Sequence, residues 1–221
     1  MLVPLNTRTY RLAIINGLLS VIGLRLADEG TIIPLVMYRL TGLSWVVGVT
    51  LGLCMLARTV TQVVLARRLD ALAYKKPHYI TSAIMRTLAL LGIAAALFWA
   101  ESLGLRLAAA IVFVGVMARS VGGAYANLGF MDIVAKSIPT TKRGSLSLWR
   151  RVIGLALAGV LVAPLIRYLV GQTSPFPFPV NYASMVREMW CCMDIAWTVF
   201  ATVAEPPSHA SSRQLDLRAH L

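Results

Sequence analysis

Acidic residues are scarce in this chain. Nine Asp and Glu stand against 21 Lys and Arg across 221 residues, a formal net charge of +12. Charge of either sign makes up only 14% of the sequence, too little to clothe an ordinary soluble domain. Histidine is rare as well. His78, His209 and His220 all fall in expected loops or the tail. With no Gly-x-Ser-Gly nucleophile beside them, a six-span intramembrane serine protease is excluded. The cysteines are Cys54, Cys191 and Cys192. They lie in apolar segments without metal-ligand spacing, so they are expected to pack rather than to bind metal. Phosphate-binding glycine loops are absent too. The sequence therefore carries no sign of an enzyme, and no cofactor is expected.

What the chain has in abundance is apolar sequence. Hydrophobic residues reach 58% and the mean hydropathy is +0.74. They fall in long blocks separated by short charged loops, the pattern of repeated bilayer spans. The expected fold is an all-α, polytopic membrane helix bundle of six transmembrane helices over residues 1–204. The spans run at about 12–38, 44–66, 79–100, 107–135, 146–170 and 180–204. A polar tail, 205–221, opens with Pro206 and Pro207 after Glu205 and is expected to stop the last helix. Arg8 and Arg11 precede an apolar run too long for a signal peptide, so the first span is expected to stay uncleaved.

The basic residues set an orientation. Arg8, Arg11, Arg67, Arg68, Lys75, Lys76, Lys136, Lys142, Arg143, Arg213 and Arg218 fall on one side, against Arg39, Arg106 and Arg167 on the other. The positive-inside rule then puts both termini in the cytoplasm, in a plasma (cell inner) membrane. The lipid bilayer is the expected partner. Nucleic acid is not, because these Lys and Arg sit mainly in loops between spans. The stretch "GQTSPFPFPVN" before the last span carries Pro175, Pro177 and Pro179 and suits an extended turn.

The unusual stretch is Leu24 to Gly42, "LRLADEGTIIPLVMYRLTG". It places Arg25, Asp28 and Glu29 in a run otherwise apolar enough to span. A charge at a span's centre costs about 2.5–3.5 kcal/mol on insertion scales, so these residues need partners or a wet cavity. Arg25 precedes both carboxylates by one helical turn and can neutralise them in part. Asp28 stands about as far from the start of the first span as Arg119 does from the end of the fourth, which places the two at similar depth. Arg58 and Arg86 each stand about 12 Å inside the same boundary. They form a candidate anion patch, with snorkelling to the interface as the plainer alternative.

Asn127 and Asp132 add polarity to the fourth span, Asp132 near its basic end as a structural latch. The small residues Ala118, Gly122, Ala126 and Gly129, like Gly48 and Gly52, recur at helical spacing and permit close helix approach. Asn16, Gly23 and Thr31 suit a cavity wall or a packing face equally well. Arg187, Glu188 and Asp194 interrupt the sixth span, with Arg187 and Asp194 on one face.

Six spans with basic 2–3 and 4–5 loops resemble the N-terminal half of a major facilitator superfamily (MFS) transporter. Three stretches carry the likeness: Gly30-Thr31-Ile32-Ile33-Pro34 with Leu40-Thr41-Gly42; Ile138-Pro139 with Arg143-Gly144; and Phe178-Pro179-Val180-Asn181-Tyr182 leading to Glu205-Pro206-Pro207. The 2–3 loop, "LARRLDALAYKKP", departs from the family pattern. Asp70 can stand for its acidic residue and Lys75 for its final base, but both glycines are missing. A solvated positive-inside loop is the alternative to a cytoplasmic latch of Asp70, Lys75 and Arg143.

The resemblance implies two repeats of three helices. It also implies that the first and fourth spans line a central cavity where Asp28 or Glu29 meets Arg119. Arg25, Asp28, Glu29, Arg119 and Asn127 are then the candidates for substrate contact or proton coupling, with a structural ion pair as the alternative. The expected function is secondary transport of a small-molecule substrate by alternating access. The family has twelve spans, so a second six-helix half or a second copy is the implied partner. The alternative is a non-transporting membrane component or a truncated remnant.

Overall fold

The computed structural model of the protein describes residues 6–70, 72–171 and 174–206, without the side chain of Asp70. The described residues form helices and connecting turns, with no strand among them. The helices are α1 (Thr7–Leu26), α2 (Ile32–Thr41), α3 (Ser44–Asp70), α4 (Lys76–Phe98), α5 (Ala100–Leu103), α6 (Leu105–Ser137), α7 (Thr140–Ser147), a π-helical turn (Leu148–Ile153), α8 (Gly154–Val170) and α9 (Val180–Ala201). Five segments are long and apolar enough to cross a membrane: α1, α3, α4, α6 and the continuous run from Thr140 to Val170. The expected sixth span falls on α9, which, carrying Arg187, Glu188 and Asp194, is not among the five.

The single first span expected over 12–38 is two helices, and the break has a local cause. Asp28 turns its carboxylate onto its own chain. Its Oδ1 accepts from Gly30 N at 2.9 Å and Thr31 Oγ1 at 3.2 Å, the bond pattern of an Asx-turn. Its carbonyl accepts from Ile32 N at 3.0 Å and Ile33 N at 3.1 Å, opening α2. Pro34 then occupies the first turn of α2. There its missing N–H is harmless, whereas mid-helix it would break a bond to Gly30. Gly42, with φ 70°, ends α2 in the left-handed conformation that glycine adopts without strain.

Two other boundaries move for similar reasons. The fifth span begins six residues before the expected Leu146, at Thr140, because Pro139 is extended and Thr140 follows it into helix. Lys142 and Arg143, expected in a loop, are helical. Arg143 donates from Nε to Ile138 O at 3.0 Å and from Nη2 to Ala135 O at 2.8 Å. It thereby satisfies carbonyls left open at the end of α6. His78 is likewise helical, in the first turn of α4, and bonds through Nδ1 to the Tyr125 hydroxyl on α6.

In space the long helices follow a different order from the chain. α3 packs on α6, α6 on α4, α4 on α9, α9 on α1, and α1 on α8, while α2 braces α3 and α6. α3 and the α7–α8 run stand at the ends of this row and are the least buried of the five long apolar segments. α9, which carries Arg187, Glu188 and Asp194, is packed into the middle. It buries Tyr182, Met185, Val186, Met189, Met193, Trp197 and Phe200. Its charges find local answers. Asp194 accepts from Thr87 Oγ1 at 2.8 Å, and Arg187 pairs with Glu188 at 2.7 Å on the exposed side. Arg187 and Asp194, expected on one face, differ in burial, since Arg187 points outward.

Small residues set the closest approach between helices. A Cβ on Gly115 would come within 2.5 Å of Ile93 Cγ1, and one on Gly122 within 2.8 Å of Arg86 Cγ. Gly129 lies against Tyr79 and Lys75. The α4–α6 contact thus rests on glycines of α6. Gly48 and Gly52 meet nothing, so the same spacing on α3 marks no contact among the described residues.

Candidate functional site

A cavity of about 540 Å³ opens among α1, α3, α4, α6, α9 and the π-helical turn. Its walls are unusual for an apolar bundle. Arg25, Arg58, Arg86, Arg119 and Arg150 line it, against only two carboxylates, Asp28 and Glu29. Asn16, Tyr79, Asn127 and Trp197 supply further polar or aromatic surface.

The two carboxylates have separate tasks. Glu29, in the corner between α1 and α2, takes the Arg119 Nη2 on one oxygen and the Arg58 Nη2 on the other. Ser120 Oγ approaches the first at 3.5 Å. One carboxylate therefore ties the α1–α2 corner to both α3 and α6. Arg119 is only 6% exposed, and a guanidinium so placed requires a counter-ion. Asp28 bonds the corner backbone and accepts from Arg25 Nη1 at 3.0 Å. Of the two candidates for Arg119, Glu29 makes the contact. The partial neutralisation expected among Arg25, Asp28 and Glu29 is confined to Arg25 with Asp28, because α1 ends at Leu26 and Glu29 turns to Arg58 and Arg119.

Arg58 and Arg86 both line the cavity, but they are not equivalent members of one patch. Arg58 pairs with Glu29, which it shares with Arg119. Arg86 is 8% exposed and has no carboxylate beside it among the described residues. Its Nε donates to Ser82 O at 3.1 Å, its guanidinium lies 4.0 Å from the Trp197 ring centre, and its Nη2 has no acceptor. Asn127 lines the cavity from α6.

Arg150 was not among the residues singled out in the sequence. It reaches in from the π-helical turn, over Gly17. A Cβ at Gly17 would collide with the Arg150 side chain, so glycine there is required for the approach. The guanidinium sits 3.9 Å from the Phe130 ring centre, and its Nη2 points at Asn16 Oδ1 at 3.4 Å. Asn16 is held by Nδ2, which donates to Ala196 O at 2.8 Å and lies 3.5 Å from the Tyr79 hydroxyl. An arginine inside an apolar span was the available signal for Arg150.

A second charged cluster closes one end of the bundle. Lys75 Nζ contacts Asp132 Oδ1 at 2.7 Å, and Lys136 Nζ lies against the other Asp132 oxygen. Glu205 completes it. Although it opens the expected polar tail, its side chain is only 2% exposed. Its carboxylate accepts from Lys75 N at 2.8 and 2.9 Å, Lys76 N at 2.7 Å and Lys136 Nζ at 3.1 Å. This caps α4, whose first N–H groups have no partner within the helix. Arg143 is bound to the end of α6 instead of joining this cluster. The latch role expected of Asp70 lies outside the described residues, as do residues 207–221 of the expected tail. No group of His, Cys, Asp and Glu suited to a metal occurs among the described residues.

Comparison with known proteins gives no match to a protein-family model, to a curated protein or to a solved structure.

Proposed function

We propose that the protein is an MFS-like secondary transporter unit. It moves a small solute across a membrane by alternating access, in partnership with a second six-helix unit or a second copy of itself. The observation that carries this reading is the cavity. It places five arginines and two carboxylates in the middle of a bundle whose long helices are otherwise apolar. Intramembrane ionisable groups are costly and mark solute or ion pathways when they face a cavity. The Glu29 bridge supports the same reading. It joins α3 and α6 to a non-helical corner, and broken helices at a central site are a common transporter device.

In this proposal α9 is the sixth span, its few charges answered by neighbouring helices or the interface. Both termini face the cytoplasm of a plasma membrane. The Lys75, Asp132, Lys136 and Glu205 cluster closes the cytoplasmic end. The sparsely covered α3 and α8, at the two ends of the helix row, are the faces the second unit would take. Reporter fusions in the α4–α6 and α8–α9 connections test the topology; cytoplasmic activity at either position would overturn it.

The functional test compares cells producing the chain, alone and with a candidate second unit, with cells producing Arg119→Gln. Solute uptake is followed by mass spectrometry. Uptake that depends on Arg119 supports the transporter. Uptake unchanged from empty membranes in both settings would leave the alternative, a non-transporting membrane component in which Glu29, Arg58 and Arg119 form a structural clamp.

A further inference from the structure

Three of the five cavity arginines have acidic neighbours: Arg25 has Asp28, while Arg58 and Arg119 share Glu29. Arg86 and Arg150 have none among the described residues. Both instead sit over aromatic rings, Arg86 over Trp197 and Arg150 over Phe130. A polar chain links them: Arg150 to Asn16, Asn16 to the Tyr79 hydroxyl, and the Tyr79 ring within 6.0 Å of the Arg86 guanidinium. The buried Nη2 of Arg86 has no acceptor. Aromatic faces orient a guanidinium and ease its burial, but they do not accept its in-plane N–H groups. With Arg86 Nε committed to Ser82 O, its Nη2 donors remain for a ligand.

We propose that Arg86 and Arg150 form the binding site for one small organic anion, held by a carboxylate or phosphate group. The planar fork of each guanidinium matches such an oxyanion in geometry and charge. The excess of arginine over carboxylate in the cavity favours a ligand that brings negative charge with it. A volume of about 540 Å³ leaves room for an organic body beside Tyr79 and Trp197. Sites for small ligands run from about 300 to 1,000 Å³. This assignment deepens the transporter reading and rests on it only for the movement of the anion; binding can be measured without transport.

The test uses the full chain in phosphatidylcholine nanodiscs, titrated calorimetrically with inorganic phosphate, succinate and benzoate. Saturable binding of at least one probe is expected. Arg86→Gln and Arg150→Gln should each weaken it about 10- to 100-fold. Arg86→Lys should weaken it less than Arg86→Gln, and Arg11→Gln, outside the cavity, should leave it unchanged. If Arg86→Gln does not yield folded protein, the less buried Arg150 carries the test. Failure of the native chain to bind any probe, or equal binding by the Gln variants, would overturn the site.

A parallel arm loads the discs with phosphatidylglycerol and measures retained lipid by native mass spectrometry. Arg86-dependent retention of that lipid, without free-anion binding, would assign the site to a headgroup and overturn the solute. Anion binding with no uptake in cells keeps this site and removes the transporter reading. Arg119-dependent uptake of a neutral or cationic solute, without anion binding, does the reverse.

Discussion

Glu205 offers the most direct test of the fold, because one carboxylate joins the chain's last described turn to the start of α4. It accepts from two backbone N–H groups and one ammonium. A hydrogen bond to a charged group is worth about 1.5–3 kcal/mol, and removing a helix N-cap costs about 0.5–2 kcal/mol. These contributions share one carboxylate and do not add in full. Glu205→Ala is therefore expected to destabilise the bundle by about 2–4 kcal/mol. Glu205→Gln keeps one acceptor oxygen and is expected to lose about half as much. The assay is SDS-driven unfolding in mixed micelles, followed by tryptophan fluorescence. Lys136→Met in both backgrounds gives the coupling, expected at about 0.5–1.5 kcal/mol. If both Glu205 variants stay within about 0.5 kcal/mol of the native chain, the cap does not form and the closed end is wrong.

Further tests address the corner and the packing. Asp28→Ala removes the bonds that open α2 and should cost about 1 kcal/mol in the same unfolding assay. It should also raise hydrogen exchange at Gly30, which otherwise donates to Asp28. Glu29→Gln leaves the buried Arg119 without its counter-charge and should cost about 3 kcal/mol. The same change makes the cavity more positive and should tighten phosphate binding at 25 °C; unchanged or weaker affinity would count against an electrostatic site. Gly115→Leu forces a side chain into Ile93 and the Ala89 carbonyl and should destabilise by about 1–3 kcal/mol. Gly48→Leu, which meets no neighbour among the described residues, serves as its control.

Much of the helical layout is visible in the sequence because apolar blocks and their basic ends need only one-dimensional counting. Depth is also countable, which is why the Asp28–Glu29 pair and Arg119 could be set at one level. Rotation about each helix axis is not countable. Asp28 and Glu29 are adjacent, yet one turns to the backbone and the other to Arg119, because α1 stops between Arg25 and Asp28. The break itself was written in Asp28, Gly30 and Pro34, but the apolar count across them was stronger. Arg58 and Arg86, set at one depth by counting, both line the cavity; only the packing of the helices shows that Glu29 pairs with the first and not with the second. Glu205 was obscured by its two following prolines. Proline ends a helix, but it does not stop the preceding side chain from turning back onto the bundle.

The spatial order of the helices has a consequence for how the chain is made. Asn16 on α1 is anchored by the carbonyl of Ala196, 180 residues later. At about 5–20 residues per second of synthesis, that carbonyl emerges on the order of ten seconds or more after Asn16. α4 waits in the same way for its cap, since Glu205 follows Lys75 by 130 residues. α1 thus leaves the ribosome well before two of the helices it packs on, α8 and α9. Until they do, Arg86 lacks Trp197 and Arg150 is not yet present. The arginine cavity is consequently completed only when α9 joins, and a chain halted before α9 would hold its earlier helices without it.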